Sequence, residues 1–297
     1  MKNVSASVRQ RLAELAKQRR LAFARLLIQY GVERLLYRLS QSRHAEKFVL
    51  KGAMLFVIWE GAQHRETRDL DLLGFGENSM EGLIRVFREI CGVKVPDDGL
   101  VFGDITATPI VAVQEYGGVT VKIQAKLGQA RIVINVDIGF GDRVTPRPKL
   151  MDFPALLDFP VPRVRAYPIE TVVAEKLQAL VSLGSKNSRM KDFFDLGYLA
   201  RTFEFDGKGL CEAIRGTFEW RKTAIPQAVP MGLTREFAVE KQTLWGAFLN
   251  RSELVGEPEF VTLVEGLQDF LLPPLQALSA SKVFEKRWPK GGNWGKI

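Results

Sequence analysis

The chain has 297 residues, 46% of them hydrophobic and 26% charged, the composition of an ordinary globular protein with enough apolar material for one large domain or two lobes. Lys plus Arg number 42 against 34 Asp plus Glu, and the net charge of +8 favours polyanionic partners such as nucleic acid or nucleotides. No apolar signal segment opens the sequence and no apolar run is long enough to span a bilayer; the two cysteines, Cys91 and Cys211, cannot build a zinc site, so a reduced cytoplasmic setting is expected.

In chain order, Val8, Leu12 and Leu15, then Phe23, Leu26, Leu27 and Tyr30, then Val32, Leu35, Leu36 and Leu39 recur at helical spacing, which predicts two helices over 5–43. Their other faces carry Arg9, Arg11, Lys17, Arg19, Arg20, Arg25, Arg34 and Arg38, either as a solvated basic surface or as a contact for a nucleic-acid backbone. His44 and His64 read as surface or loop residues. From Phe48 an apolar run reads as a helix packed beneath a strand that begins at Asp69, and a further helix is predicted over 79–91. Pro96-Asp97-Asp98-Gly99 ends it and opens a β region. Val119, Val121, Ile123, Ala125 and Leu127 alternate with Thr120, Lys122, Gln124 and Lys126, the pattern of a strand with one buried and one polar face. After a turn at Gly128-Gln129-Ala130 a second apolar strand ends on Asp137. Pro146, Pro148, Pro154, Pro160 and Pro162 mark a connecting loop segment. Helices are predicted over 168–183, 189–201, 207–219, 234–250 and 257–278, and the Gly-rich tail from Trp288 to Trp294 reads as an ordered strap. The division expected is 1–160 for the N-terminal helices and core lobe and 161–297 for a mainly helical lobe.

The chemistry concentrates in three stretches. Asp69 and Asp71, two apart on a strand, project to one face while Leu70 and Leu72 enter the core. With Asp137 from another strand they form an all-oxygen set of the kind Mg²⁺, a hard cation, prefers, and phosphoryl transfer needs such ions on its triphosphate. Gly52-Ala53 precedes them; a glycine where loop meets helix lets backbone N–H groups approach a phosphate. In the second stretch, Lys176 falls inside the arc of Ile169, Val172, Val173, Leu180 and Leu183, so its ammonium needs an anion or a route to water, and a triphosphate would supply the anion. The third, Ser188 to Leu199, is apolar on nearly every side, so Asp192 and Asp195 need cationic partners; Lys176, Arg189 or a bound substrate could serve, and an Asp192–Lys176 pair would be compatible with a role for Lys176 at phosphate.

Glu33-Arg34-Leu35-Leu36, Phe48 to Gly52, Arg65-x-Thr67-Arg68-Asp69-Leu70-Asp71, Asp98-Gly99, Val136 to Asp142, Glu175-Lys176-Leu177-x-Ala179-Leu180, Arg189-x-Lys191-Asp192-x-x-Asp195-Leu196 and the closing Trp288 to Trp294 together resemble the AbiEii/AbiGii toxin family of nucleotidyltransferases, which includes the mycobacterial MenT toxins. The resemblance implies an α+β chain with a DNA polymerase β-like nucleotidyltransferase fold, a mixed sheet flanked by helices, and a helical C-terminal lobe. It also implies a type IV toxin–antitoxin (abortive infection) role, with an antitoxin of the AbiEi type that need not bind stably. By motif position it implies Asp69 and Asp71 at the metal, Lys176 at the triphosphate and Asp192 as an essential acid. Gly52-Ala53 departs from the usual Gly-Ser or Gly-Gly, which leaves only backbone donors there.

The expected activity is therefore metal-dependent transfer of NMP from an NTP to an RNA acceptor, the tRNA 3′ end, which would block translation. Asp69, Asp71 and Asp137 would hold Mg²⁺ or Mn²⁺, with Asp137 also a candidate to assist deprotonation of the acceptor hydroxyl. Gly52, Ala53, Arg68, Lys176 and Arg189 would contact the nucleotide, with Lys176 and Asp192 counted among the catalytic groups. Two rival expectations are transfer to a small molecule and a non-catalytic NTP- or RNA-binding module.

Overall fold

The computed structural model describes residues 3–61, 64, 65, 67, 69–110 and 117–296, and the chain forms two compact units. The first comprises residues 1–142 and 148–167, the second 143–147 and 168–297.

The first unit opens with α1 (Val4–Arg19) and α2 (Phe23–Ser40), followed by β1 (Phe48–Lys51), α3 (Leu55–Glu60), β2 (Asp69–Gly74), α4 (Met80–Cys91), and strands β3 (Leu100–Ile110), β4 (Gly118–Leu127), β5 (Ala130–Phe140), β6 (Lys149–Asp152) and β7 (Arg163–Ala166). The seven strands form one mixed sheet in the order β3-β4-β5-β2-β1-β7-β6. The antiparallel meander β3-β4-β5 follows from strict alternation: Val119, Val121, Ile123, Ala125 and Leu127 of β4 and Ile132, Ile134, Val136 and Ile138 of β5 are all buried on one face. Helix α2 lies on that face, because a β-carbon added to Gly31 would sit 3.0 Å from Ile134 Cδ1 and 3.2 Å from Ile132 Cγ2. Phe87 of α4 meets Phe48 of β1 on the same side, with ring centroids 5.5 Å apart, and α1 packs on α2. Helices α2 and α4 thus lie on the apolar face. The polar residues Thr120, Lys122, Gln124 and Lys126 point the other way.

Several sequence expectations change here. Phe48–Lys51 is a strand, and only after Gly52 does the chain turn into a 3₁₀ turn (Gly52–Met54) and the short α3. Its aromatic and branched residues serve a fully covered strand as well as a helix, and four residues are too few for periodicity to separate the two. The proline-marked segment supplies β6 and β7 at the sheet edge. Arg34 and Arg38 are not solvated: both are buried on α2. Arg34 Nε lies 3.0 Å from Glu33 Oε1 and its guanidinium donates to Pro160 O, while Glu33 accepts from the Leu156 N–H at 2.7 Å. Arg38 forks onto Asp98 at 2.6 and 3.1 Å, and the Tyr30 hydroxyl donates to Asp98 O. These pairs fasten α2 to the loop before β7 and to the entry of β3; charge on a helix face signals solvent only if no partner comes from elsewhere in the chain. His44 is also buried, with Nε2 2.7 Å from Glu89 of α4.

The second unit holds α5 (Ile169–Leu183), α6 (Met190–Thr202), β8 (Phe205–Asp206), α7 (Gly207–Trp220), α8 (Arg235–Arg251), α9 (Phe260–Ser279), β9 (Lys286–Trp288) and β10 (Gly295–Lys296). Asp206 and Thr234 cap α7 and α8 through their side chains. Phe193, Phe194, Phe237, Trp245 and Phe260 form its aromatic core. The tail is the expected strap: β8, β9 and β10 make a small sheet, Trp288 Nε1 donates to Ala200 O at 2.7 Å, and Trp294 Nε1 donates to Phe270 O at 2.8 Å. Among the described residues, no helix is long and apolar enough to cross a membrane.

Candidate functional site

Laterally paired residues of a sheet project to the same face, so the strand register alone assembles the polar side of the first unit. One row runs Lys51, Asp71, Asp137, Thr120, Thr108 across β1, β2, β5, β4 and β3. The next runs Asp69, Asn135, Lys122, Thr106. Asp69, Asp71 and Asp137, expected together from the sequence, therefore share one face, with Asp71 and Asp137 directly paired and Asp69 two residues along β2. All three are half-buried. The Thr120 hydroxyl donates to Asp137 Oδ1 at 2.6 Å, and Asn135 Nδ2 donates to Asp69 Oδ1 at 3.3 Å.

Gly52 bounds this row. Its φ of +71° is a left-handed conformation that suits glycine, and a β-carbon there would overlap Asp71 Oδ2 and lie 2.6 Å from Asp71 Cγ and 2.7 Å from Asp71 Cβ. The glycine thus lets the backbone close directly onto the Asp71 side chain. Ala53, which follows, is buried. Lys51, paired with Asp71, carries its ammonium 3.8 Å from Asp142 Oδ2 and beside Gly139. Sequence reasoning did not single out Lys51, Thr120 or Asn135. The alternation of β4 and β5 already set Thr120 and Asn135 on the polar face, and Lys51 would have followed had Val49 and Lys51 been read as alternating strand positions. Arg68 lies outside the described residues.

The second unit contains the other predicted residues. Lys176 of α5 is held between Asp192 Oδ1 at 2.7 Å and Asp195 Oδ2 at 2.8 Å, both from α6, and Arg189 Nε lies 2.6 Å from Asp192 Oδ2. Two cations and two carboxylates therefore balance within one cluster. Burial by itself would raise the Asp192 carboxyl, yet Lys176 and then Arg189 hold it below the ordinary carboxylate range, so it stays ionised at neutral pH. Arg189 is half exposed, and its backbone N–H donates to Asn187 Oδ1 at 2.9 Å.

As the side chains stand, no three of His, Cys, Asp and Glu among the described residues converge to hold one metal ion. The donor type fits a hard divalent cation nonetheless: three carboxylates on one face, two of them in register, with Gly52 backbone closed against one.

Two solved structures from Helicobacter pylori are similar in shape. JHP933 is 14% identical over 84% of this chain and 90% of its own, with a TM-score of 0.46, and a protein described as a candidate nucleotidyltransferase is 15% identical over 88% and 99%, with a TM-score of 0.49. No curated protein is significantly similar in sequence. The sequence profile of the nucleotidyl transferase AbiEii toxins of type IV toxin–antitoxin systems matches residues 34–271, which takes in the Asp69–Asp71–Asp137 row and the Lys176 cluster, and the chain belongs to that nucleotidyltransferase family, its mixed, helix-flanked sheet fitting a polymerase β-like core.

Proposed function

We propose that this nucleotidyltransferase moves NMP from an NTP onto the 3′ end of an RNA, a tRNA in the first instance, and thereby blocks translation until an antitoxin of the AbiEi type counters it. The observation that carries the reading is the in-register pair Asp71–Asp137 with Asp69 beside it on the polar sheet face. Asp69, Asp71 and Asp137 would hold Mg²⁺ or Mn²⁺, which when bound would neutralise triphosphate charge and favour departure of pyrophosphate. Thr120 orients the Asp137 carboxylate and Asn135 that of Asp69, as outer hydrogen bonds commonly do for metal ligands. Gly52 lets its backbone lie directly against Asp71.

In the second unit, Lys176 and Arg189 are the cations proposed for the β- and γ-phosphates, with Asp192 and Asp195 fixing the Lys176 ammonium. The half-exposed Arg189 is the more accessible of the two. The test is incubation with labelled NTPs, Mg²⁺ and total tRNA: wild type is expected to label tRNA and Asp69→Ala is not. Absence of labelling by wild type, indistinguishable from Asp69→Ala, would sink the proposal.

A further inference from the structure

The polar face of the first unit's sheet is covered at Val49 and Leu73 but exposed along β4 and β5, and the basic residues there are not those of the N-terminal helices. From the row that carries Asp69, the same face continues along β4 and β5. Lys122 is paired with Asn135, Gln124 with Val133, and Lys126 with both Arg131 and Val101. Lys122, Gln124, Lys126 and Arg131 are exposed, and none of the three cations is paired with a carboxylate among the described residues. From Asp137 to Arg131 is six residues, roughly 20 Å of extended strand. The cations therefore form a track that starts in the row of Asp69, next to the row of Asp71 and Asp137, and leads away from them.

Helix α2 lies on the other side of the sheet, as the packing of Gly31 against Ile132 and Ile134 shows, and α1 meets the sheet at the β4–β5 turn, where a β-carbon on Gly128 would lie 3.3 Å from Ser5 Oγ. Arg34 and Arg38 are buried in ion pairs, and Arg11 is bonded to Asp158. They are poorly placed to guide a strand to the carboxylates. We infer that the acceptor RNA runs along the open face of β4 and β5, its phosphates held by Lys122, Lys126 and Arg131 and its 3′ end directed toward Asp137 and Asp71. This rests on the reading of those carboxylates as the transfer site. Charge complementarity argues for a polyanion, and Lys122 followed by the lateral Lys126–Arg131 pair on a twisted face suits a strand backbone. The side chains of these rows are Lys, Arg, Thr, Gln, Asn and Val, with no aromatic ring for bases to stack on, so the contact holds phosphate and tolerates sequence.

The experiment measures binding of a fluorescent single-stranded RNA oligonucleotide by anisotropy, in EDTA and without NTP so that no transfer occurs. Wild type is compared with a Lys122→Ala/Lys126→Ala/Arg131→Ala variant and with a Lys17→Ala/Arg19→Ala/Arg20→Ala variant, after thermal melts show that each is folded. The sheet variant is expected to bind at least about tenfold more weakly and to flatten the slope of log K against log salt by about 2, three phosphate contacts on a single strand, while the α1 variant binds as wild type does. Equal binding and slope for the sheet variant, loss confined to the α1 variant, or no RNA binding by wild type would each overturn the inference. So would competition by polyglutamate as effective as by RNA, which would assign the face to an acidic protein. Binding that behaves as expected in a wild type that transfers nothing would reject the transfer reading alone; transfer with an unchanged KM for RNA in the sheet variant would reject the track alone.

Discussion

Replacing Gly52 by alanine tests the geometry of the carboxylate row most directly. Alanine at φ +71° costs about 1–2 kcal/mol in backbone strain, and its β-carbon must also displace Asp71, with overlaps at Oδ2, Cγ and Cβ. Repacking on that scale adds a further ~1–2 kcal/mol, for a total near 3 kcal/mol. In a unit of this size that lowers the melting midpoint by roughly 6–12 °C. The double-mutant cycle separates the two contributions: in an Asp71→Gly background the side chain is gone, and Gly52→Ala should cost only the strain, about 1–2 kcal/mol. Chemical denaturation of the four proteins gives the coupling, and single-turnover transfer gives the functional consequence, a fall of about 100-fold for Gly52→Ala alone if a shift near 1 Å moves the Asp71 carboxylate. The reasoning fails if Gly52→Ala melts with wild type, or if it costs the same in both backgrounds.

Asp137→Asn keeps an oxygen for the Thr120 hydroxyl, so the fold should persist with an unchanged midpoint while metal-supported transfer falls by about 100-fold or more; equal loss of stability and activity would point to a structural role instead. Asp98→Ala strands the buried Arg38 guanidinium and should destabilise the protein by about 3–5 kcal/mol in urea titration, against a few tenths for an exposed pair such as Arg235–Glu265. Burial pushes the Glu33 carboxyl from 4.5 up to about 7, against the pull of Arg34. Its folded form holds a proton that the unfolded chain has already lost, so its contribution is full below pH 4.5, falls by about 1.4 kcal/mol per pH unit from there to about 7, and is flat above, a loss near 3 kcal/mol in all. Glu33→Gln should remove that slope; stability of wild type and variant that run parallel between pH 5 and 8 would contradict it.

Periodicity was enough for the long elements. The helices from α4 onward and the β4–β5 hairpin are strongly patterned over ten or more residues, and each lies within a few residues of where the pattern sets it. The strand alternation also foretold a sheet with one polar face, and Asp69, Asp71 and Asp137 fall on it. Short elements were not legible. Phe48–Lys51 is four residues long and buried, which suits strand or helix, and β6 lies among prolines that only a sheet edge accommodates.

What the sequence determined by itself was the inventory: two carboxylates two apart, a third on another strand, a lysine on an apolar stripe, acids in a buried helix, and the family those residues resemble. Partnership needed the tertiary structure, because it joins residues far apart in the chain. Asp71 meets Asp137 only through the parallel pairing of β2 with β5, and Lys51 joins them only because β1 is a strand. Charges on α2 that look solvated in sequence are paired with Asp98 and Glu33 and hydrogen-bonded to the backbone of Leu156 and Pro160. Lys176 has its carboxylates because α5 and α6 lie side by side, and burial makes that pairing obligatory. A linear pattern records which side chains share a face; which face meets which partner is decided by packing.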